Sequence, residues 1–333
     1  MKKTLLWFLK AVLAGILAFL TVTAVCHFYY NIPVRRSSDI SATDYVWDAG
    51  AVSSRGTEGF AVTHTDEKGY VNTYPEKKDS VDILIMGSSH AEGFNVSEDE
   101  NFTYLLNEKF SKSGIDMYAY NIGMSAHTLL RCFNNLDGAI KDFAPSEYIF
   151  IETSTVDFSP EELERLNAGE FEVLEAYDKG FLYTLQKSDV IRLLYSQLED
   201  ANAADAPKEE TEDVSLEGYT ALIDKALSNA SKSVGDSDVK IVVVYCPTPE
   251  FDYNGKIVPL EMNEREKLFE ELCGEYGIGF INMFSYFEEH YNATYELPHG
   301  FSNSHVGVGH TNSVGHACIA DAIFNYVEGG AAK

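Results

Sequence analysis

The run Ile83-Leu84-Ile85-Met86-Gly87-Ser88-Ser89-His90 decides the fold, because a short apolar strand ends there in a tight turn that carries two serines. An uninterrupted apolar run of this length is typical of a strand buried on both faces of a parallel sheet. A serine on the turn after such a strand is exposed and lies near backbone N–H donors. Since a hydroxyl is a poor nucleophile at neutral pH, it also needs an imidazole to take its proton. The run Gly309-His310-Thr311-Asn312-Ser313-Val314-Gly315-His316 supplies one, and we interpret Ser89 and His310 as nucleophile and base.

The chain after residue 80 alternates between strand and helix patterns. Strands are predicted at 81–86, 117–122, 148–152, 240–245 and 278–283, and helices at 101–113, 128–143, from Pro160 onward, 189–199, 215–233, 261–276 and 316–327. Strands separated by helices predict an α/β fold, a three-layer α/β/α domain with a mainly parallel five-stranded sheet. In such sheets ligands bind beyond the carboxyl ends of the strands. Ser89, Gly123, the loop 153–157 and the loop before His310 all fall at such ends.

The N-terminus predicts a transmembrane helix. No residue from 11 to 26 is charged, Lys10 lies near enough to one end to extend its amine to the interface, and aromatic residues at 28–30 resemble an interfacial belt. A cleaved signal peptide is the alternative, with Val22-Thr23-Ala24 as a loose cleavage site. Either interpretation places the main domain outside the cytoplasm, as a single-pass protein of a bacterial cell membrane if the helix is retained.

Three regions are predicted. Residues 1–36 form the anchor, 37–80 form a polar stalk with an N-terminal embellishment, and 81–330 form the α/β domain, which carries an acidic, alanine-rich insertion at 200–214.

Charge excludes one class of partner. The first 36 residues hold five of the 25 basic side chains and no acid, so the remainder carries 20 basic against 52 acidic side chains. Such a surface repels nucleic acid and anionic lipid. The five cysteines, at 26, 132, 246, 273 and 318, have no short paired spacing, which argues against a zinc site or a disulfide framework.

Four blocks in order resemble the SGNH, or GDSL-type, hydrolase superfamily, with its flavodoxin-like fold. They are Gly87-Ser88-Ser89 after the first strand, Gly123 after the second, a polar loop after the third and His310 before the last helix, and the resemblance covers residues 80–330. It implies that Ser89 is the nucleophile, that the N–H groups of Ser89 and Gly123 line the oxyanion hole, and that His310 is the general base. The implied reaction moves an acyl group from an ester to water or another hydroxyl, without a cofactor.

Two positions depart from the family pattern. The acid that usually precedes the catalytic histidine by three residues is Gly307 here, and loss of such an acid can cost about 10⁴-fold in rate. The asparagine expected in the third block is absent. Only the hydroxyls of Thr153, Ser154 and Thr155 are available there as donors, and Thr153 and Ser154 are the candidates for the oxyanion hole. Asp157 is a distant alternative for this acid, although it is better interpreted as an acidic residue at the start of a helix.

Other polar residues receive weaker predictions. His90 and Asn312 are candidate substrate contacts. A metal site is not predicted, because the spacings of His299, His305, His310 and His316 match no zinc signature.

The predicted function is an extracytoplasmic serine-dependent esterase or O-acyltransferase. Resemblance to membrane-anchored members of the superfamily implies a cell-envelope polysaccharide or other acylated compound as substrate and, for a transferase, a membrane-bound acyltransferase as donor partner. The alternative is a weakly active or inactive binding or scaffold protein, for which Gly307 is the supporting feature. Phosphoryl or metal chemistry has no carboxylate cluster or glycine-rich phosphate loop to support it.

Overall fold

The chain begins with a long apolar helix, α1 (Lys2–Tyr29). The computed structural model describes residues 2–37, 39–171, 173–174, 187–194, 214–235 and 237–331. The segment Lys3–Tyr29 has a mean hydropathy of 2.3 in its most apolar window, and none of that window is buried. Its length and composition suit a membrane span, and a signal sequence would meet the same criteria. The predicted insertion at 200–214, apart from residue 214, lies outside the described residues, as does residue 195 onward of the helix predicted at 189–199; residues 189–194 are helical.

The region after α1 packs on the α/β domain. It contains five short strands, β1 (Tyr30–Asn31), β2 (Arg35–Arg36), β3 (Val46–Trp47), β4 (Val52–Arg55) and β5 (Ala61–His64). An antiparallel sheet has the order β1-β4-β5, and β2 pairs with β3. Tyr45, Trp47 and Tyr70 are buried in the main core. The sequence showed no period here because these strands are only two to four residues long.

The five predicted strands of the main sheet are confirmed. They are β6 (Ile83–Met86), β7 (Ala119–Asn121), β8 (Tyr148–Thr153), β9 (Lys240–Tyr245) and β10 (Gly279–Asn282). All pairings are parallel, and the order is β7-β6-β8-β9-β10. Strand β6 lies second from one edge, between β7 and β8, and the turn after it lies at the carboxyl edge of the sheet.

Helices cover both faces of this sheet. They are α2 (Ser89–Glu92), α3 (Phe102–Ser113), α4 (Leu129–Asn134), α5 (Leu136–Phe143), α6 (Pro160–Ala168), α7 (Leu216–Val234), α8 (Glu264–Glu275), α9 (Phe284–Thr294) and α10 (Ser313–Ala331). Alternate strand residues face two separate cores. Leu84 and Ile149 belong to the core that contains α4 to α8, whereas Ile83 and Phe150 belong to the core that contains α3, α9 and α10. The three-layer α/β/α prediction is therefore confirmed.

One helical prediction needs correction, and helix α9 was missed. The helix predicted at 128–143 is divided at Asn135, whose N–H donates to the carbonyl oxygens of Arg131 and Cys132. Helix α9 was not predicted, because it follows β10 almost directly and its sequence contains four aromatic residues with no clear polar face.

Candidate active site

The turn Gly87-Ser88-Ser89 joins β6 to α2 at the carboxyl edge of the sheet. Ser88 caps α2, since its Oγ accepts from the N–H of His90 at 3.2 Å. Gly87 has φ of +147°, and a Cβ there would lie 2.9 Å from the Glu152 carboxylate and from Ala91. Only glycine fits at position 87. The turn therefore depends on this glycine, and α2 begins two residues later at Ser89.

Ser89 and His310 are brought together across 221 residues. His310 Nε2 lies 2.9 Å from Ser89 Oγ, a hydrogen bond of ordinary length. Both side chains are only partly buried, so the serine oxygen is accessible to a substrate. This is the arrangement required for a serine that passes its proton to an imidazole.

The acid behind His310 is Glu58, from the loop between β4 and β5. Its Oε2 lies 2.5 Å from His310 Nδ1, and its Oε1 accepts from the His310 backbone N–H at 2.8 Å. Because Glu58 accepts at Nδ1–H, Nε2 is left to accept from Ser89. Burial alone would raise the pKa of the Glu58 carboxyl, but the hydrogen bonds from the His310 ring and backbone outweigh it, and the pKa is lowered. Glu58 is thus ionised at neutral pH and can stabilise an imidazolium on His310.

Three hydrogen bonds to Asn303 hold the Glu58 loop in place. The Asn303 amide donates to the carbonyl oxygens of Gly56 and Gly59, and its oxygen accepts from the Gly59 N–H at 2.8 Å. Gly309 has φ of +94°, and a Cβ on it would lie 2.3 Å from Glu58 Oε1. Glycine at 309 is therefore what allows the carboxylate to approach the His310 backbone.

The two sequence positions considered for the acid, Gly307 and Asp157, have other environments. Gly307 is buried, and the nearest atom to a Cβ built on it belongs to Leu297, at 3.6 Å. Asp157 accepts from the Asn263 amide at 2.9 Å and pairs with Arg265 at 3.7 Å. Neither takes the place of the missing family acid.

The predicted oxyanion donors have different environments. Gly123 packs on the nucleophile helix, since a Cβ there would lie 2.6 Å from the Ala91 side chain, and its N–H donates to Asn121 Oδ1 at 2.8 Å. The Thr153 hydroxyl donates to the Thr155 carbonyl at 2.7 Å, which occupies its proton. Ser154 is exposed at the carboxyl end of β8. The Ser89 N–H and the Ser154 hydroxyl remain the predicted donors with the most open surroundings.

His90 lies beside the hydrogen-bonded pair of Ser89 and His310. Its ring centroid is 5.1 Å from that of His310, and its Nδ1 contacts Thr311 Oγ1 at 2.7 Å. Burial lowers the pKa of His90, so the ring is neutral at pH 7. It remains a predicted substrate contact.

Asn312 has a structural environment. Its amide donates to the carbonyl oxygens of Leu297 and Gly300, and its oxygen accepts from the N–H groups of Val314 and Gly315. These four bonds hold the loop before α10 and leave its polar atoms occupied, which argues against the predicted substrate contact.

The remaining histidines do not converge on a metal site. His299 and His316 are buried, and burial lowers the pKa of each to about 3, whereas His305 is exposed. Within the described ranges, no three His, Cys, Asp or Glu side chains are grouped as metal ligands.

Two acids at the site were missed from the sequence. Glu58 follows a region without periodicity and lies 252 residues from His310, so no spacing could link the two. Glu152 is buried behind the turn, where its Oε2 accepts from both the N–H and the hydroxyl of Ser88. An acid at the end of an otherwise apolar strand was the available signal for Glu152.

A parallel sheet of this order, with Ser89 after the strand next to one edge and His310 before the last helix, is the arrangement of the SGNH hydrolase fold, which the sequence blocks resemble. No protein-family model matches the sequence, and no curated protein matches it at a significant level. Solved structures with a similar fold include a psychrotrophic esterase from Pseudoalteromonas sp., with 14% identity, a TM-score of 0.42 and coverage of 75% of this chain and 98% of that one. A GDSL-like lipase from Parabacteroides merdae has 15% identity, a TM-score of 0.37 and coverage of 78% and 99%. An acetyl xylan esterase from Geobacillus stearothermophilus has 12% identity, a TM-score of 0.37 and coverage of 74% and 93%.

Proposed function

We propose that this protein is an extracytoplasmic serine esterase or O-acyltransferase that works through an acyl-enzyme on Ser89. One observation carries the proposal: the unbroken hydrogen-bonded chain from Glu58 through His310 to Ser89. A serine, an imidazole and an ionised carboxylate in this order form the arrangement that activates a hydroxyl for attack on an acyl carbon.

Each step has an assigned residue. Ser89 Oγ attacks the carbonyl carbon of an ester while its proton passes to His310 Nε2. Glu58 stabilises the resulting imidazolium through Nδ1–H. The leaving alcohol takes the proton from Nε2 as the C–O bond of the ester breaks. Water or a second hydroxyl then attacks the acyl-enzyme and gives its own proton to His310, which regenerates Ser89.

The proposed substrate is an acylated cell-envelope glycan. The apolar α1 supports attachment at a membrane, the acidic surface argues against nucleic acid, and the partly exposed Ser89 suits a polymer that cannot enter a closed cavity. In the transferase form of this proposal, a membrane-bound acyltransferase supplies the acyl group.

The test is covalent labelling of Ser89. The wild-type chain should react with a fluorophosphonate probe and hydrolyse p-nitrophenyl acetate, and Ser89→Ala should lose both activities. Ser111→Ala changes an exposed serine of α3 and serves as the matched control. Labelling that persists in Ser89→Ala would remove Ser89 from the mechanism.

Hydrolysis and transfer are separated by intact mass. After exposure to an acetyl donor, the chain should gain one acetyl group on Ser89. If the acetyl group leaves faster when an oligosaccharide acceptor is added, and appears on that acceptor, the protein is a transferase. Loss to water at an unchanged rate identifies an esterase.

The binding or scaffold alternative has lost the feature that favoured it. It depended on the absence of an acid behind His310, and Glu58 occupies that position in space. A wild-type chain that neither labels nor forms an acyl-enzyme would restore it.

A further inference from the structure

The end of α1 is joined to the α/β domain by direct pairing. Strand β1 follows Tyr29 without a linker and pairs with β4, so that Tyr30 lies opposite Arg55 and Asn31 opposite Ser54. A Cβ on Gly56 would lie 2.6 Å from the Tyr29 ring. The Ser54 hydroxyl also donates to the His27 carbonyl at 2.9 Å. These contacts fix the domain against the last turn of α1.

Strand β4, the partner of β1, leads directly into the loop that carries Glu58. Gly56 lies against Tyr29, and Glu58 follows two residues later, a span of at most about 7 Å of chain. Because Glu58 contacts His310, the hydrogen-bonded triad lies within a few residue lengths of the end of α1.

The end of α1 has the features of a membrane interface. A helix of 28 residues is about 42 Å long, which exceeds the roughly 30 Å of a hydrocarbon core. Its last turn carries exposed Phe28 and Tyr29, which suit the headgroup level.

Exposed apolar side chains flank the triad at this end. Phe60, two residues after Glu58, is 66% exposed, and Val62 also faces outward from β5. The loop before His310 adds Val306, which is 66% exposed, and Val308. Asn303 of that loop contacts Gly56 and Gly59, so the two apolar segments belong to neighbouring loops.

From the pairing of β1 with β4 and the apolar residues beside Glu58, we propose that the Ser89 site opens at the surface of the membrane that α1 spans. Phe60, Val62, Val306 and Val308 contact lipid there, and the substrate is an ester of a compound anchored in the bilayer. This proposal rests on the proposed esterase or acyltransferase function for its chemistry, and it specifies that the glycan acted on is the lipid-anchored form. The lipid contact is apolar, since the acidic domain would be repelled by anionic headgroups.

The position of the site can be tested without any measurement of catalysis. The full chain carries Val62→Cys or Asp238→Cys, labelled with an NBD fluorophore and reconstituted in phosphatidylcholine vesicles. The five native cysteines are buried, so the added thiol is the reactive one, and Asp238 is exposed just before β9, at the amino edge of the sheet. The label at 62 should shift its emission to shorter wavelength and be quenched by spin-labelled lipid, while the label at 238 does neither. Equal behaviour of the two labels would overturn the proposal.

The substrate class requires a second comparison. Rates are measured on p-nitrophenyl acetate in solution and on an acetylated oligosaccharide coupled to a phospholipid in the same vesicles. Phe60→Ser should lower the ratio of vesicle-bound to soluble turnover at least tenfold, and Tyr253→Ser, at an exposed aromatic beside α9, should leave that ratio near the wild-type value. An unchanged ratio in Phe60→Ser would overturn the lipid-anchored assignment. If neither substrate is turned over by the wild-type chain, the proposed function fails, and the labels still decide the position of the site.

Discussion

Glu58 is the residue on which the chemistry of His310 depends. Its carboxylate contacts both the ring and the backbone of His310, so it fixes the position of the histidine and the site of its proton at once. The lowered pKa keeps this carboxylate ionised at neutral pH. The contribution of the Glu58 carboxylate to the stability of the folded state is therefore present above the ordinary carboxyl pKa, and it is lost as the pH falls through the lowered pKa.

Glu58→Gln should reduce kcat by about 10²- to 10⁴-fold, because an amide can donate to Nδ1 and favour the wrong tautomer of His310. The measurement is steady-state hydrolysis of p-nitrophenyl acetate, with Glu67→Gln, at an exposed acid of the same N-terminal region, as the control. A loss of less than fivefold in Glu58→Gln would show that another group orients His310.

Gly309→Ala should separate Glu58 from His310 without touching either residue. The added methyl group would lie 2.3 Å from Glu58 Oε1 and push the carboxylate away, and the positive φ is strained for alanine. We expect a fall in kcat of at least tenfold with little change in KM. Gly114→Ala, also at positive φ but with no atom within 4 Å of its Cβ, controls for backbone strain alone and should retain the wild-type kcat.

Helix α2 is connected to the N-terminal region through a buried acid. Glu92 lies at the end of α2, and its Oε1 accepts from Trp47 Nε1 at 2.6 Å while Ser125 contacts its other oxygen. Burial raises the pKa of Glu92, against the effect of Arg55 and of these hydrogen bonds. The helix that begins at Ser89 is thus held by strand β3, which precedes the main sheet by more than 30 residues.

Trp47→Phe should lower the free energy of unfolding by about 1–3 kcal/mol, because it leaves a buried carboxylate oxygen without its donor. In a Glu92→Met background the same change should cost less, since both polar partners are then gone. Urea denaturation of the four chains gives the coupling between the two residues. Additive costs would mean that the Trp47 to Glu92 bond contributes little.

Periodicity could predict the elements of the main sheet and not those of the N-terminal region. Strand β9 was predicted residue for residue, because its β-branched run has clear ends. Strands β4 and β5 are held by pairing with each other and with β1, and nothing local in their sequences requires it. For the same reason Ser89 and His310 could be proposed from the motif blocks, whereas Glu58 reaches His310 only through tertiary packing.

Two buried histidines, His299 and His316, make the stability of the whole molecule depend on pH. Burial first, and then neighbouring histidines, lower the pKa of His299 and His316 to about 3. In the unfolded chain these rings take up protons near pH 6.5. Their contribution to stability is therefore complete above about 6.5 and declines as the pH falls toward 3.

Between pH 6 and 4 the free energy of unfolding should fall by about 1.4 kcal/mol per pH unit for each of these two histidines. Urea denaturation in detergent at several pH values measures the slope. His316→Asn keeps an acceptor for the Phe102 N–H and should remove one histidine's share, while His305→Gln, at an exposed position, should leave the slope as it is. A slope unaffected by His316→Asn would contradict this account.

The order of the triad along the chain has a consequence for synthesis. Glu58 and Ser89 leave the ribosome early, whereas His310 belongs to the loop before α10 and is made some 220 residues after the serine. Until that loop and α10 have folded against α3, the Ser89 hydroxyl has no base and remains an ordinary alcohol. Under the proposed function, the nascent chain is therefore unreactive toward esters until His310 has been made and its loop has folded against the rest of the domain.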